Sequence, residues 1–186
     1  MKNKVILLHL QTKSKNFAPQ KGKIFFISIL FLMNTITTQI KTILEEKILS
    51  PEHFVIDILL KESRSKTILT IILDGDKGIT IDACAQVSRA LGEIIEEQNL
   101  IQTAFNLEIS SPGVETPLKN IRQIPQHIGR NVEIVQKDLQ ILKGKLIAIE
   151  NQNITIEKKD KPKANPIPYT ISYSEIEKIT VLVSFH

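Results

Sequence analysis

The sequence predicts an α+β protein, in which an α-β-β-α-β unit of two helices on a three-stranded sheet precedes a small β-barrel. Three observations support this fold class. Apolar residues recur at helical spacing in two segments of the first half. Short β-branched and aliphatic runs follow each of these segments. A rigid Ser-Pro-Gly segment at 111–113 then separates this unit from a region of short, closely spaced strands.

Residues 1–33 differ from the rest of the chain. They carry 6 lysines and no acidic residue, and they end in an apolar run at 24–33. The run is shorter than the roughly 20 residues that span a bilayer. Three interpretations stay open: mis-started sequence with Met33 as the true start, a disordered extension, or a membrane-targeting segment. Charge favours the first interpretation, because removal of this segment leaves a coherent chain of one acidic and one basic half.

A helix is predicted from Thr35 to the region before Pro51, because its apolar residues share one face: Ile36, Ile40, Ile43, Leu44 and Ile48. Strands are predicted at 54–60 and 67–73, and together they indicate a hairpin. The loop 74–78 that follows carries two carboxylates. Its spacing does not match a calcium-binding loop, so a solvated turn is favoured over a metal site.

The second helix is predicted from Ile81 to about Gln98, with Thr80 as its N-cap. Its apolar stripe comprises Ile81, Cys84, Val87, Leu91, Ile94 and Ile95. Cys84 is therefore expected to pack in the core. A strand at 105–110 completes the α-β-β-α-β unit, so we expect one domain over 34–118.

A second domain is expected over 119–186. A short helix broken by Pro125 precedes predicted strands at 131–136, 139–149, 153–158, 169–172 and 179–185, with a single helical turn at 173–176. Gly144, inside the second of these strands, predicts a bend or bulge. Strands this short and this close together favour a small barrel.

Charge divides the chain at the same point. Residues 34–118 carry 7 basic and 13 acidic residues, whereas residues 119–186 carry 11 basic and 7 acidic residues. The basic side chains concentrated in the second region are Lys143, Lys145, Lys158, Lys159, Lys161 and Lys163. A basic barrel suits RNA or protein, and an acidic half joined to it suits a ribonucleoprotein partner.

Catalysis is not expected. The serines Ser110 and Ser111 do not lie in a nucleophile elbow, and we expect them to bond nearby backbone and hold the turn. The single cysteine and four scattered histidines indicate no metal cluster, and no phosphate-binding or dinucleotide motif is present. No cofactor or small-molecule substrate is therefore expected, and a hydrolase that uses Ser111 is the least favoured hypothesis.

Two motifs resemble a known family. Leu107-Glu108-Ile109-Ser110-Ser111-Pro112-Gly113, followed by Pro117-Leu118, is similar to the signature of the bacterial ribosome maturation factor RimP family. The segment 78–89 resembles the second helix of that family, including Cys84, Ser88 and Arg89. Gly129-Arg130-Asn131-Val132 and Ile176-Glu177-Lys178-Ile179 lie where the family begins and closes its second domain.

The resemblance implies an SH3-like C-terminal barrel and a non-catalytic assembly factor for the small (30S) ribosomal subunit. Such a protein is expected to be a cytoplasmic monomer without stable membrane association, and to bind the immature subunit transiently through rRNA and a small-subunit ribosomal protein. Arg130 and the six lysines are the candidate contacts. Thr116 stands where the family usually has an arginine. A general RNA-binding regulator built on the same small barrel is the alternative.

Overall fold

A computed structural model describes residues 35–62, 66–158 and 165–183. The predicted extension at 1–33 lies outside the described residues. So do three of the candidate contacts, Lys159, Lys161 and Lys163.

The first part of the described chain forms a three-stranded sheet with two helices. Helix α1 occupies residues 35–43 and continues as a π-helical turn at Leu44–Ile48. Strands β1 and β2 follow at His53–Glu62 and Thr67–Gly75. Helix α2 then occupies Ile81–Glu97, and strand β3 occupies Phe105–Ser110. Strands β1 and β2 are antiparallel, which confirms the predicted hairpin. Strands β2 and β3 are parallel, so α2 is the crossover between them.

The core of this part lies between β2 and the two helices. Leu69 and Ile71 on β2 are fully buried in one cluster with residues of α1 and α2. Thr80 caps α2 by accepting a hydrogen bond from the backbone N–H of Ala83, as predicted. Ile81 is 88% exposed, so its assignment to the apolar stripe was wrong. It is the first helical residue, and the buried residues of the helix begin at Cys84.

The second part forms a five-stranded antiparallel sheet in the order β7-β6-β5-β4-β8. Its strands β4 to β8 occupy Asn131–Gln136, Ile141–Glu150, Asn153–Lys158, Ile167–Ser172 and Ile176–Val181. This sheet has a separate core cluster, which includes the fully buried Ile134, Leu146 and Ile154. Leu139, predicted in a strand, lies instead in the β4–β5 turn, and the last strand begins and ends earlier than predicted.

Gly144 is needed for a close backbone approach. A Cβ atom at this position would lie 2.5 Å from the carbonyl oxygen of Glu157 on β6. The irregularity in the pairing of β5 with β6 lies further along, between Leu146 and Ala148. Gly144 therefore does not form the bulge itself.

Between the two sheets the chain makes two 3-10 turns, at Ile121–Gln123 and Pro125–His127. The break at Pro125 was predicted, and Pro125 starts the second turn, where a missing N–H costs nothing. Gly129 then adopts a φ of +91°, which favours glycine, before β4 begins. No helix in the described ranges is long and apolar enough to cross a membrane.

A candidate interaction site at the junction of the two sheets

The motif turn, residues 110–118, leads from the end of β3 to the second sheet. The backbone N–H of Thr116 donates to the carbonyl of Gly113 at 2.9 Å, which closes the turn. The N–H of Leu118 donates to the carbonyl of Ile179 on β8 at 2.8 Å. The turn therefore ends as a backbone partner of the second sheet, and Pro117 fixes the direction of approach.

The two serines do not hold this turn. Ser110 and Ser111 are exposed, and neither hydroxyl makes a hydrogen bond with any residue that the structure describes. The expectation that they bond nearby backbone was wrong, because the Gly113–Thr116 backbone bond closes the turn instead. Gly113 does not adopt a positive φ, and a Cβ there would lie 3.1 Å from the Thr116 hydroxyl oxygen. The size of a side chain at position 113 is therefore limited by the space beside that hydroxyl.

The segment 74–78 is the surface against which the two 3-10 turns dock. Its first two residues end β2, and Asp74 is only 6% exposed, so the interpretation of this segment as a solvated turn was wrong for Asp74. Asp76 and Lys77 are exposed, as that interpretation predicts. One Asp74 carboxylate oxygen accepts the N–H of Gly75 at 2.8 Å, and the other accepts the side-chain amide of Gln123 at 2.7 Å. The amide of Gln126 lies 3.4 Å from the same oxygen. A buried carboxylate requires such donors, since burial removes its hydration.

Gln123 connects both sides of this junction. It is 1% exposed, and while its amide nitrogen donates to Asp74, its Oε1 accepts from the backbone N–H groups of Lys119 and Asn120 at 2.9 and 3.1 Å. One side chain thus forms hydrogen bonds both with the turn that carries it and with Asp74 opposite. The contact also holds the first 3-10 turn against the end of β2.

Ion pairs surround this buried contact. Lys119 pairs with Asp57 on β1, and Arg122 pairs with Asp76. The hydrogen bonds from Arg122 hold the pKa of Asp76 below its ordinary value. Acidic side chains of the first part therefore meet basic side chains of the second part at the junction. These junction residues were not predicted from the sequence, although the two carboxylates of loop 74–78 and the reversal of charge after 118 were visible there.

A cavity of about 260 Å³ opens beside the junction. The motif turn contributes Ser111 and Thr116 to its wall, and the second part contributes His127 and Arg130. Arg130 is exposed, and its guanidinium lies 3.4 Å from Nδ1 of His127. Burial, followed by the charge of Arg130, lowers the pKa of His127, so the imidazole is neutral at pH 7. The structure therefore brings the predicted motif turn and the candidate contact Arg130 to one place.

The second-helix motif lies elsewhere. Cys84 is 9% exposed and counts among the buried core residues, and burial raises the pKa of its thiol, so its predicted role in core packing is confirmed. Ser88 is half-buried on the same helix, and Arg89 is exposed. Neither lines the junction cavity. Of the segment 78–89, only Gly78 and Ile79, which precede α2, line the cavity, and Cys84, Ser88 and Arg89 do not.

The candidate lysines that the structure describes lie on β5 and β6. Lys143 and Lys145 are exposed, and Lys158 is half-buried at the end of β6. Lys143 pairs with Glu133 on β4 at 2.8 Å, and this hydrogen bond lowers the pKa of Glu133. Lys143 and Lys145 both line a groove of about 700 Å³, together with Glu157. Part of the positive charge is thus matched within the sheet, whereas no ion pair with a described residue matches Lys145 or Lys158.

The described residues contain no group of three or more His, Cys, Asp or Glu side chains that could hold a metal ion. The two carboxylates of loop 74–78 are instead occupied by Gln123 and Arg122. The junction therefore presents charged and hydrogen-bonding side chains on a fixed scaffold.

Comparison with known proteins covers both parts of the chain. A family model described as the RimP N-terminal domain matches residues 43–115. A ribosome maturation factor RimP of Cytophaga hutchinsonii is 33% identical over 162 residues, covering 81% of this chain and 95% of that protein. A protein of the same name from Nitratidesulfovibrio vulgaris is 33% identical over 110 residues, covering 55% of this chain and 62% of that protein. A solved magnetosome protein domain, MamB CTD of Desulfamplus magnetovallimortis, matches 45% of this chain and 99% of its own at 19% identity and a TM-score of 0.34.

Proposed function

Because the chain belongs to the ribosome maturation factor RimP family, we propose that it is a non-catalytic assembly factor for the small ribosomal subunit. The observation that carries the proposal is the alignment with a ribosome maturation factor over 81% of this chain and 95% of that relative. In this proposal the protein acts in the cytoplasm as a monomer, without a cofactor, and is released once the subunit matures.

We propose further that residues 34–118 and 119–186 are two domains, the second an SH3-like barrel. Two features support the division: each sheet has its own core cluster, and the change from one to the other follows the motif turn. Five short antiparallel strands with a bulge in β5 are compatible with a small barrel.

The exposed basic surface is the proposed contact with the subunit. Lys145 on β5 and Arg130 beside the junction cavity are exposed on the second domain. Lysine and arginine bind phosphate oxygens, and each such contact releases counterions from RNA. Binding to the immature subunit should therefore weaken steeply with added salt, in keeping with transient association.

Co-sedimentation with purified immature small subunits tests this proposal. We expect the wild-type chain to bind at low salt, and R130Q/K145Q to bind more weakly, with a salt slope smaller by about 2 if both side chains contact phosphate. The matched control K61Q/K77Q removes two exposed lysines of the first domain and should bind like the wild type. Absence of the wild-type chain from the subunit fraction at low salt would refute the proposal.

The same samples distinguish the general RNA-binding alternative. If the wild-type chain binds short protein-free RNA as tightly as it binds small subunits, the regulator hypothesis is favoured. A preference for subunits favours the assembly factor.

A further inference from the structure

The two sheets have four edge strands, and three of them are protected against pairing with a further strand. The pairing of β1 is interrupted by a bulge just before Asp57, whose carboxylate accepts the N–H of Ile58 at 3.0 Å. Strand β7 contains Pro168, which has no N–H to donate. Strand β8 is partly covered, because its Ile179 carbonyl accepts the N–H of Leu118. Bulges, prolines and covering segments all block open edges.

Strand β3 is the fourth edge, and it has none of these features. It pairs with β2 in a regular parallel register from Phe105 to Ser110, without a bulge or a proline. The N–H of Thr67 on β2 donates to the carbonyl of Ala104, so the even-numbered residues of this stretch face β2. Since the backbone groups of successive strand residues point alternately to the two sides, those of residues 105, 107 and 109 point away from β2. No backbone group in the described ranges bonds to them.

The side chains of the same three residues form an apolar row along this edge. Phe105, Leu107 and Ile109 pack against the core cluster of the first sheet, yet each is only half-buried. Their pairing partners on β2 are buried: Thr67, Leu69 and Ile71. The core of the first sheet is therefore incompletely covered along β3. An added strand with apolar side chains at alternate positions would cover it, because alternate side chains of a strand share one face.

Charge indicates what kind of strand fits this edge. The alternate residues of β3 are exposed on the opposite face, and Glu108 among them is the only charged residue of the strand. The Glu108 carboxylate accepts the hydroxyl of Thr70 at 3.1 Å. Residues 34–118 carry 7 basic and 13 acidic residues, so the first domain is net negative. A second copy of the chain would bring the same negative charge, whereas a basic segment would be attracted.

We propose that the free edge of β3 binds an extended basic segment of a partner protein as a fourth strand of the first sheet. The backbone groups of residues 105, 107 and 109 supply the hydrogen bonds, and the apolar row packs against alternate apolar side chains of the added strand. Glu108, on the other face, pairs with a basic side chain. The inference goes beyond the proposed function and stands without it, since it concerns the edge of the first domain and not the basic surface of the second.

The test titrates the full chain with a short, end-capped peptide in which valine alternates with lysine, and follows the backbone amides by NMR. We expect saturable binding, with the largest shifts at residues 105, 107 and 109. A peptide of the same composition, with its valines and lysines in two blocks, should bind about tenfold more weakly. Methylation of one alternate set of peptide amides should abolish binding, and methylation of the other set should not, since only one set faces β3. Equal binding of the two peptides, equal effects of the two methylations, or no binding of the alternating peptide would overturn the proposal.

Two variants with the same change in charge locate the site. N106K/E108K places lysines on β3, whereas Q86K/E97K places them at exposed positions of α2. We expect N106K/E108K to weaken binding of the alternating peptide about tenfold and Q86K/E97K to bind it like the wild type. Equal weakening by both variants would overturn the edge in favour of general charge attraction. A wild-type dimer that N106K/E108K converts to a monomer would overturn the partner segment in favour of a second copy. The peptide comparison uses the wild-type chain, so it decides the proposal even if N106K/E108K unfolds.

Discussion

Arg122 donates two parallel hydrogen bonds to the carboxylate of Asp76, from Nε to Oδ1 at 2.9 Å and from Nη2 to Oδ2 at 2.8 Å. The two residues are 46 positions apart and belong to opposite sides of the junction. The same guanidinium donates to the carbonyl of Pro51 and lies over the ring of Phe54, 4.4 Å from its centroid. Only arginine combines this fork with a face that stacks on an aromatic ring, so lysine cannot replace it.

Stability should depend on this pair in a pH-dependent way. The folded-state pKa of Asp76 is lowered by its hydrogen bond with Arg122. The stabilisation is therefore present above the unfolded pKa of about 4 and is lost as the pH falls through the lower folded value. We expect D76N to lower the free energy of unfolding at pH 7, and the difference from wild type to shrink below about pH 4. Urea titrations across this range measure it.

Glu46 provides the control for that experiment, because it is exposed and makes no ion pair with a described residue. E46Q should leave stability unchanged at every pH. A difference between D76N and wild type that persists undiminished in acid would contradict the assigned role of the ion pair.

The buried contact between Gln123 and Asp74 predicts a reciprocal rescue. Q123E places a second carboxylate against Asp74 and should lower the free energy of unfolding at pH 7 by about 2–4 kcal/mol. The double variant D74N/Q123E reverses the direction of the hydrogen bond. The new asparagine amide then donates, and the new glutamate carboxylate still accepts the two backbone N–H groups. We expect it to recover more than half of the loss. A double variant as unstable as the sum of the single variants would contradict this geometry.

The sequence predicted most of the fold, because strands and helices leave a local signal. The bounds predicted for β3, β4 and β6 are those observed, and the Thr80 cap follows from a rule about adjacent residues. The errors also have local causes. Leu139 continues an apolar pattern, and no neighbour indicates that its backbone is left-handed.

The junction could not be predicted in the same way. Asp74 and Gln123 are 49 positions apart, and nothing near either residue identifies the other as its partner. A polar Asp-Gly-Asp segment predicts a solvated turn. The burial of Asp74 is imposed by Gln123, which lies further along the chain. The motif turn was identified as a junction from its prolines and glycine, but the side chains that hold the junction lie on both sides of it and not within it.

The two parts of the chain contain glycines that should respond in opposite ways to the same substitution. G144A places a Cβ 2.5 Å from the carbonyl oxygen of Glu157, so β5 and β6 must separate locally, and we expect a loss of about 1–3 kcal/mol. Gly92 lies within α2, and apart from its chain neighbours and the nearby helix backbone no described heavy atom lies within 4 Å of its Cβ position. G92A should therefore raise the free energy of unfolding by about 0.5–1 kcal/mol. Chemical denaturation of both variants checks the pair, and a tolerated G144A would show that the close approach is not required.

The C-terminal end of α2 predicts a gain in stability from a reversal of charge. Glu93, Glu96 and Glu97 lie in its last two turns, and its last turn carries no basic residue. Carboxylates there oppose the helix dipole, and Glu93 and Glu97 repel each other at a spacing of four. E97K should raise the free energy of unfolding by about 0.5–1 kcal/mol at low ionic strength.

The matched variant is D82K, because Asp82 lies in the first turn of the same helix, where a carboxylate is favourable. It should change stability in the opposite direction, and both effects should diminish in 1 M salt, where the screening length is about 3 Å. If E97K and D82K change the free energy of unfolding in the same direction, then net charge, and not the position of each charge along α2, controls this effect.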